Sequence, residues 1–250
     1  MILIPQYRTA RRASAASLDL LSNLILSLDL EEASGNAIDS SGNSYTFTDT
    51  NTVGQTTGAT AGYNSRAFVA ASSEYFTRAH STTELTIGDN EWVLHCWFYH
   101  DGAANRVLFA KSGTALPQTT TSRSFVLNAN SAELRWRVGY ATAASGDVSA
   151  VDSAGAPTNT WTPALCWHDP VANVIGVKSG SRSAVTAGFA GGARNGTAAV
   201  TAGTAGSSYF NGNIAALRIW RGYGVIAQIV DNADALAFLN AQQRRHSELT

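Results

Sequence analysis

His95, Cys96 and His100 form the densest group of nucleophilic and metal-ligating side chains in the chain. On an extended strand Cys96 and His100 share a face about 13 Å apart while His95 points the other way, so the three cannot grip one zinc ion. Glu31-Glu32 is an adjacent acidic pair. Glycoside hydrolysis by retention needs an acid and a nucleophile about 5 Å apart, and adjacent strand residues point to opposite faces. There is no E-x-D-x-E or E-x-D-x-x-E run, no G-x-S-x-G elbow, no H-E-x-x-H, and no phosphate loop before Lys111-Ser112 or Lys178-Ser179. The sequence therefore predicts no catalytic site and no enzyme.

Binding chemistry is the other use of such residues. A hard cation wants six to eight oxygens with several carboxylates. Asp39 with Asn43, aided by Glu31 or Glu32, supplies part of that set, but Asp and Asn at a Ser-Gly turn more often accept Asx-turn hydrogen bonds. No cofactor is expected. Six tryptophans and eight tyrosines suggest stacking on sugar rings, yet Trp97, Trp136, Trp161, Trp167 and Trp220 lie in or beside strand-like runs, where burial is expected. Tyr140, Tyr209 and Tyr223 border loops and are the expected surface contacts. Asn195-Gly-Thr197 fits a glycosylation acceptor but reads as a turn. Cys96 and Cys166 sit in separate apolar runs with no C-x-x-C motif, so free buried thiols are expected, and a disulfide between neighbouring strands stays open.

The elements that must position these residues are mostly strands. Short runs rich in Val, Ile, Thr and aromatics alternate with Gly, Asn, Asp and Ser clusters, the pattern of an all-β sandwich or barrel. Strands are expected near 24–30, 45–48, 66–70, 74–78, 91–100, 105–111, 123–128, 132–139, 147–151, 161–168, 172–178, 198–202 and 209–220. Val225 to Gln243 repeats its apolar residues at helical spacing and predicts a C-terminal helix. The Ser, Ala, Gly and Thr stretch from Ser179 to Ser208 reads as loops and one short strand inside the domain. Residues 1–20 read as a flexible arm and 21–250 as one domain.

Composition narrows the function classes. Charged residues are 14% of the 250, far too few for a coiled coil. Seventeen basic against eighteen acidic residues give a net charge of -1, which offers no field for nucleic acid or an anionic membrane. The apolar run Leu18 to Leu30 is interrupted by Asp19, Ser22, Asn23, Ser27 and Asp29, so no membrane insertion is expected. At the N-terminus apolar residues precede Arg8, Arg11 and Arg12, the reverse of a secretory signal.

The order of landmarks is more specific. Leu28-Asp-Leu-Glu-Glu-Ala-Ser-Gly35, Asp39-Ser-Ser-Gly-Asn43 and Ala67-Phe68 resemble the opening of laminin-G-like, concanavalin A-like jelly-roll domains. Glu91-Trp92 to Trp97-Phe98, Trp161 to Trp167-His-Asp169, and Tyr209-Phe-Asn-Gly-Asn-Ile214 with Leu217-Arg-Ile-Trp220 resemble later strands of that family in the same order. The resemblance spans residues 24–240 and implies a two-sheet antiparallel sandwich with a short C-terminal helix. Many relatives carry acidic residues on the closing strand, where this chain has Asn211, Ala215 and Ala216.

For function, the resemblance implies a non-catalytic bacteriophage virion protein: a capsid decoration, fibre or tail-associated subunit assembled in the host cytoplasm. Its partners would be capsid or tail subunits and further copies of itself in a homo-oligomer, with Arg8, Arg11 and Arg12 pairing with acids on a neighbour. The alternative is a carbohydrate-binding lectin module on a virion or bacterial surface, with glycans as partners.

Overall fold

In the computed structural model, which describes residues 19–81, 85–103, 106–113, 123–141 and 146–249, strand alternation sorts the longest aromatic run onto two sides. Trp92, Leu94, Cys96 and Phe98 face the main core, while Val93 joins a second cluster on the opposite side of the sheet.

In chain order the strands are β1 (Leu24–Leu28), β2 (Ala37–Ile38), β3 (Thr46–Thr50), β4 (Gly54–Thr57), β5 (Asn64–Phe68), β6 (Tyr75–Arg78) and β7 (Trp92–His100). They continue as β8 (Arg106–Lys111), β9 (Phe125–Asn130), β10 (Glu133–Gly139), β11 (Asp147–Asp152), β12 (Thr162–Asp169) and β13 (Val174–Ser179). The last five are β14 (Val185–Gly188), β15 (Val200–Ala202), β16 (Thr204–Ala205), β17 (Ser208–Tyr209) and β18 (Gly212–Arg221). One sheet runs β14-β13-β12-β7-β18-β5-β4, with β1 also on β18, and the other runs β11-β10-β9-β8-β15-β6-β3-β2. Pairing among the described strands is antiparallel, as in β12 on β7 and β18 on β7. Late strands are inserted between early ones, β18 beside β7 and β15 beside β8, which is the jelly-roll arrangement the sequence predicts.

The sheets are joined through aromatics. Trp92 stacks on Trp136 at 5.4 Å with the ring planes 8° apart, and Phe125 lies 5.1 Å from Trp92. The Trp136 indole N–H donates to the Trp167 carbonyl at 3.1 Å, tying β10 to β12 across the sandwich. Each such fully buried ring contributes about 1.5–3 kcal/mol by leaving water.

β18 changes neighbours midway. Gly212 to Ile214 pair with β5, Leu217 to Trp220 pair with β1, and the register slips between Ala215 and Arg218. Ala216 sits there at φ 49, so the small side chains of Ala215 and Ala216 fill a tight bulge.

A second layer covers the outer face of the β7 sheet. Trp167, Leu165, Val93 and Trp220 pack there against Ile226, Ile229, Ala235 and Leu239. The single helix expected over Val225 to Gln243 is instead a five-residue π-helical turn, Ile226–Val230, followed by α1 (Ala233–Ala241). Asn232 causes the break. It is extended at φ -94 and ψ 103, and its side-chain oxygen accepts from the Asp234 and Ala235 N–H groups, an N-cap that starts a new helix rather than continuing the old one.

Asp19 and Leu20, assigned from sequence to the arm, are anchored. Leu20 is buried and its carbonyl accepts from the Trp220 indole at 2.7 Å. Arg8, Arg11 and Arg12 lie outside the described residues. The Ser179 to Ser208 stretch contains β14, β15, β16 and the start of β17 rather than one short strand. Their small residues have weak intrinsic preference, and pairing with β13, β6 and β8 supplies the order.

Candidate functional site

The outer face of β7 presents Trp97, and β12 presents Pro163 directly opposite it in the register. Trp161 precedes β12 by one residue, half-buried, with its ring 5.9 Å from Tyr99. Helix α1 lies alongside. Trp97, Trp161 and Pro163, with Leu236, Asn240 and Lys178, line an open groove of about 510 Å³. Trp161, with Trp97, Pro163 and Leu236, forms its apolar surface, and an amide, an ammonium and the Ser181 hydroxyl border it.

The groove is held in shape from beneath. The Trp97 indole N–H donates to the Leu239 carbonyl at 3.3 Å. Asn240 donates from Nδ2 to the Gly180 carbonyl at 3.3 Å, and its Oδ1 lies 3.4 Å from His95 Nε2. Burial drives the His95 pKa down to about 3, with the Arg218 charge adding to the effect and the Asn240 contact opposing it. His95 is therefore a neutral spacer between the sheet and α1. Arg218, fully buried next to it, donates to Asp29 Oδ1 at 3.0 Å and to the carbonyl oxygens of Ala216 and Arg244. That anchors the chain leaving α1.

The burial expected for Trp97, Trp136, Trp167 and Trp220 is found, Trp97 keeping 8% of its surface exposed at the groove floor, but Trp161 is a groove wall. The missed signal was the run Thr160-Trp-Thr-Pro163 followed later by Gly180-Ser181. Residues this small, or ring-limited like proline, cannot cover an adjacent indole.

The other sequence candidates go to separate structural roles. His100 donates from Nε2 to the Ala156 carbonyl at 2.9 Å and accepts at Nδ1 from the Gly102 N–H, on the face opposite His95. Glu31 pairs with Arg245 at 2.7 Å, whereas Glu32 accepts from the Ile38 N–H at 3.0 Å, so the acidic pair does not converge on one ligand. Asp39 accepts from Ser27 N–H at 2.8 Å, Ser41 N–H at 2.9 Å, Ser41 Oγ at 2.8 Å and Tyr45 N–H at 3.3 Å. Asn43 turns its amide to the Ile25 carbonyl. These are turn-building contacts, and no group of three metal-ligating side chains occurs among the described residues. Cys96 and Cys166 are both free and buried. Tyr223 is 92% exposed, while Tyr140 stacks on Phe189 and Tyr209 lies against Tyr75.

No protein-family model matches the sequence, and no curated protein matches it. Solved structures do match in fold. Domain 4 of AbnA, an extracellular arabinanase from Geobacillus stearothermophilus solved in complex with arabinotriose, superposes with TM-score 0.58 at 15% identity over 87% of this chain and 98% of that one. The binding domain of Paraclostridial Mosquitocidal Protein 1 gives TM-score 0.60 at 11% identity over 81% of this chain. The binding domain of Botulinum Neurotoxin DC, solved with SialylT, gives 0.54 at 11% over 80%. This chain spans about half the length of the two toxin domains, 49% and 48%. At these identities the shared property is the β-sandwich fold.

Proposed function

We propose that the chain is a carbohydrate-binding module whose site is the groove between Trp97 and Trp161. The observation that carries this reading is a pair of indoles walling an open groove whose rim holds Asn240, Lys178 and Ser181. The C–H face of a sugar ring stacks on an indole, and its hydroxyls reach the rim donors and acceptors. The full-length fold match to an arabinanase domain solved with a trisaccharide supports it. The toxin domains add less, because half of each lies outside the match. Such a module serves equally on a virion or a bacterial surface. The virion attachment implied by the sequence resemblance draws on Arg8, Arg11 and Arg12, outside the described residues.

The test is a tryptophan-fluorescence and calorimetric titration with arabinotriose and other neutral oligosaccharides, for the wild type and Trp161→Ala. Saturable binding near millimolar Kd, worth about -4 kcal/mol, that is lost in Trp161→Ala is the expected result. Absence of binding by every sugar, or undiminished binding by Trp161→Ala, refutes the groove.

A further inference from the structure

A second cavity lies at one end of the sandwich, where the loop after Ile87, the β12–β13 turn and the segment following β14 converge. It is open to solvent on one side, with a volume of about 380 Å³, and Asp89, His168, Asn173, Phe189, Gly192 and Asn195 contribute to its lining. We propose that it binds a small neutral hydroxylated ligand, one sugar ring or a polyol, independently of the tryptophan groove.

His168 carries the argument. It is 1% exposed and faces inward on β12, opposite Trp92 in the register. Its Nδ1 lies 2.7 Å from the Asn90 carbonyl, which only accepts, so Nδ1 holds the proton. Burial lowers the His168 pKa, which keeps the ring neutral and leaves Nε2 as a bare lone pair. That buried Nε2 has no hydrogen-bond partner, and an acceptor so placed calls for a donor supplied from outside the chain.

The rest of the cavity asks for the same chemistry. The Asp89 carboxylate and the side-chain oxygens of Asn173 and Asn195 are further acceptors, and the two amides also donate. Phe189, 1% exposed, packs behind the lining and fixes the His168 ring, stacking on Tyr140 at 4.6 Å and making an edge contact with His168 at 5.5 Å. Gly88, Gly191 and Gly192 have φ of 56, 122 and 73, conformations that favour glycine and leave the mouth free of side chains. The walls stand close: a Cβ on Gly192 would sit 3.7 Å from Asp89 Oδ1, and one on Gly88 would sit 3.6 Å from Asn195 Oδ1. One carboxylate among neutral groups is a poor set for a hard cation, whereas several acceptors converging on one pocket suit a ring of hydroxyls.

The experiment follows the imidazole nitrogens of the full chain by NMR during titration with glycerol, L-arabinose or D-galactose up to about 100 mM. Expected is a saturable shift of His168 Nε2 in the wild type and in Trp161→Ala alike, with Kd, read in every variant from the backbone amide of Gly192 on the same lining, raised about tenfold or more in His168→Gln and in the surface variant Asn195→Ala. If His168→Gln fails to fold, Asn195→Ala and Asn173→Ala decide the matter. No saturable shift with any of the three probes, a shift produced by calcium chloride alone, or unchanged affinity in Asn195→Ala overturns the proposal. Loss of binding in Trp161→Ala overturns the independence of the two sites.

Discussion

The indole N–H of Trp97 donates to the Leu239 carbonyl at 3.3 Å, so the floor of the groove and the helix beside it form one unit. Replacing Trp97 with Phe removes that bond and costs about 1 kcal/mol of stability. Trp161→Ala, on the half-buried wall, lowers oligosaccharide affinity about tenfold or more, since a lost ring contact of about 1.4 kcal/mol is a factor of ten. Thermal melts and calorimetry on the two variants separate positioning from contact.

Acid stability should follow His95. Its folded pKa of about 3 lies below the ordinary 6.5, so between those values the unfolded chain binds a proton that the folded one refuses. The contribution of neutral His95 is complete above pH 6.5 and falls by about 1.4 kcal/mol for each unit of pH lowered toward 3. His168, also lowered by burial, contributes in the same direction. In denaturant melts from pH 7 to 4, His95→Gln should show a shallower loss of stability than the wild type.

Asp39 serves as an acceptor for four donors, three of them backbone N–H groups. Asp39→Ala strips the buried Ser27 N–H of its partner and should cost about 1–3 kcal/mol. Because those contacts occupy the carboxylate, millimolar calcium or a chelator should leave the wild-type Tm unchanged. A calcium-dependent rise in Tm that disappears in Asp39→Ala would contradict this assignment.

Burial pushes the Cys96 thiol up to about 12 and raises Cys166 well above its ordinary value, with Cys96 adding to the effect. Thiolate is the reactive form, so neither cysteine should react with an aromatic disulfide reagent in the native protein. Both should react after guanidinium denaturation. Prompt native labelling of either would show that the β7–β12 region opens readily.

Gly176 faces Trp167 across the β12–β13 pair, and a Cβ there would collide with the indole ring. Gly176→Ala should destabilise by about 1–3 kcal/mol through overpacking, whereas Gly188→Ala on the neighbouring edge strand, where a Cβ meets nothing, should be close to neutral. A pair of chemical-denaturation curves checks both.

The sequence by itself determined the fold class, because strand period and turn chemistry are local. The Trp92–Phe98 run alternates between the two sides of its sheet, and Asp39 builds its turn with Ser41 and Tyr45, within six positions, although its bond to the Ser27 N–H spans twelve. The separation of His95 from Cys96 and His100 was legible for the same reason. The helical stretch was legible as apolar spacing, but its break was not. Asn232 becomes a cap only when its side chain turns back on the chain, a competition that periodicity does not register.

Only the tertiary structure decided the two cavities. Trp97, Trp161, Lys178 and Asn240 come from the two strands that flank β12, the approach to β12 and the C-terminal helix, and they meet because β12 pairs with both β7 and β13 while α1 covers that face. His168 reads in sequence as one more residue of a buried strand. Its unpaired nitrogen exists because the Asn90 carbonyl, 78 positions away, takes the other side of the ring. Local pattern tells a side chain which face of its strand to occupy. What stands opposite that face, and whether it leaves a gap, is set by sheet pairing between segments with no pattern in common.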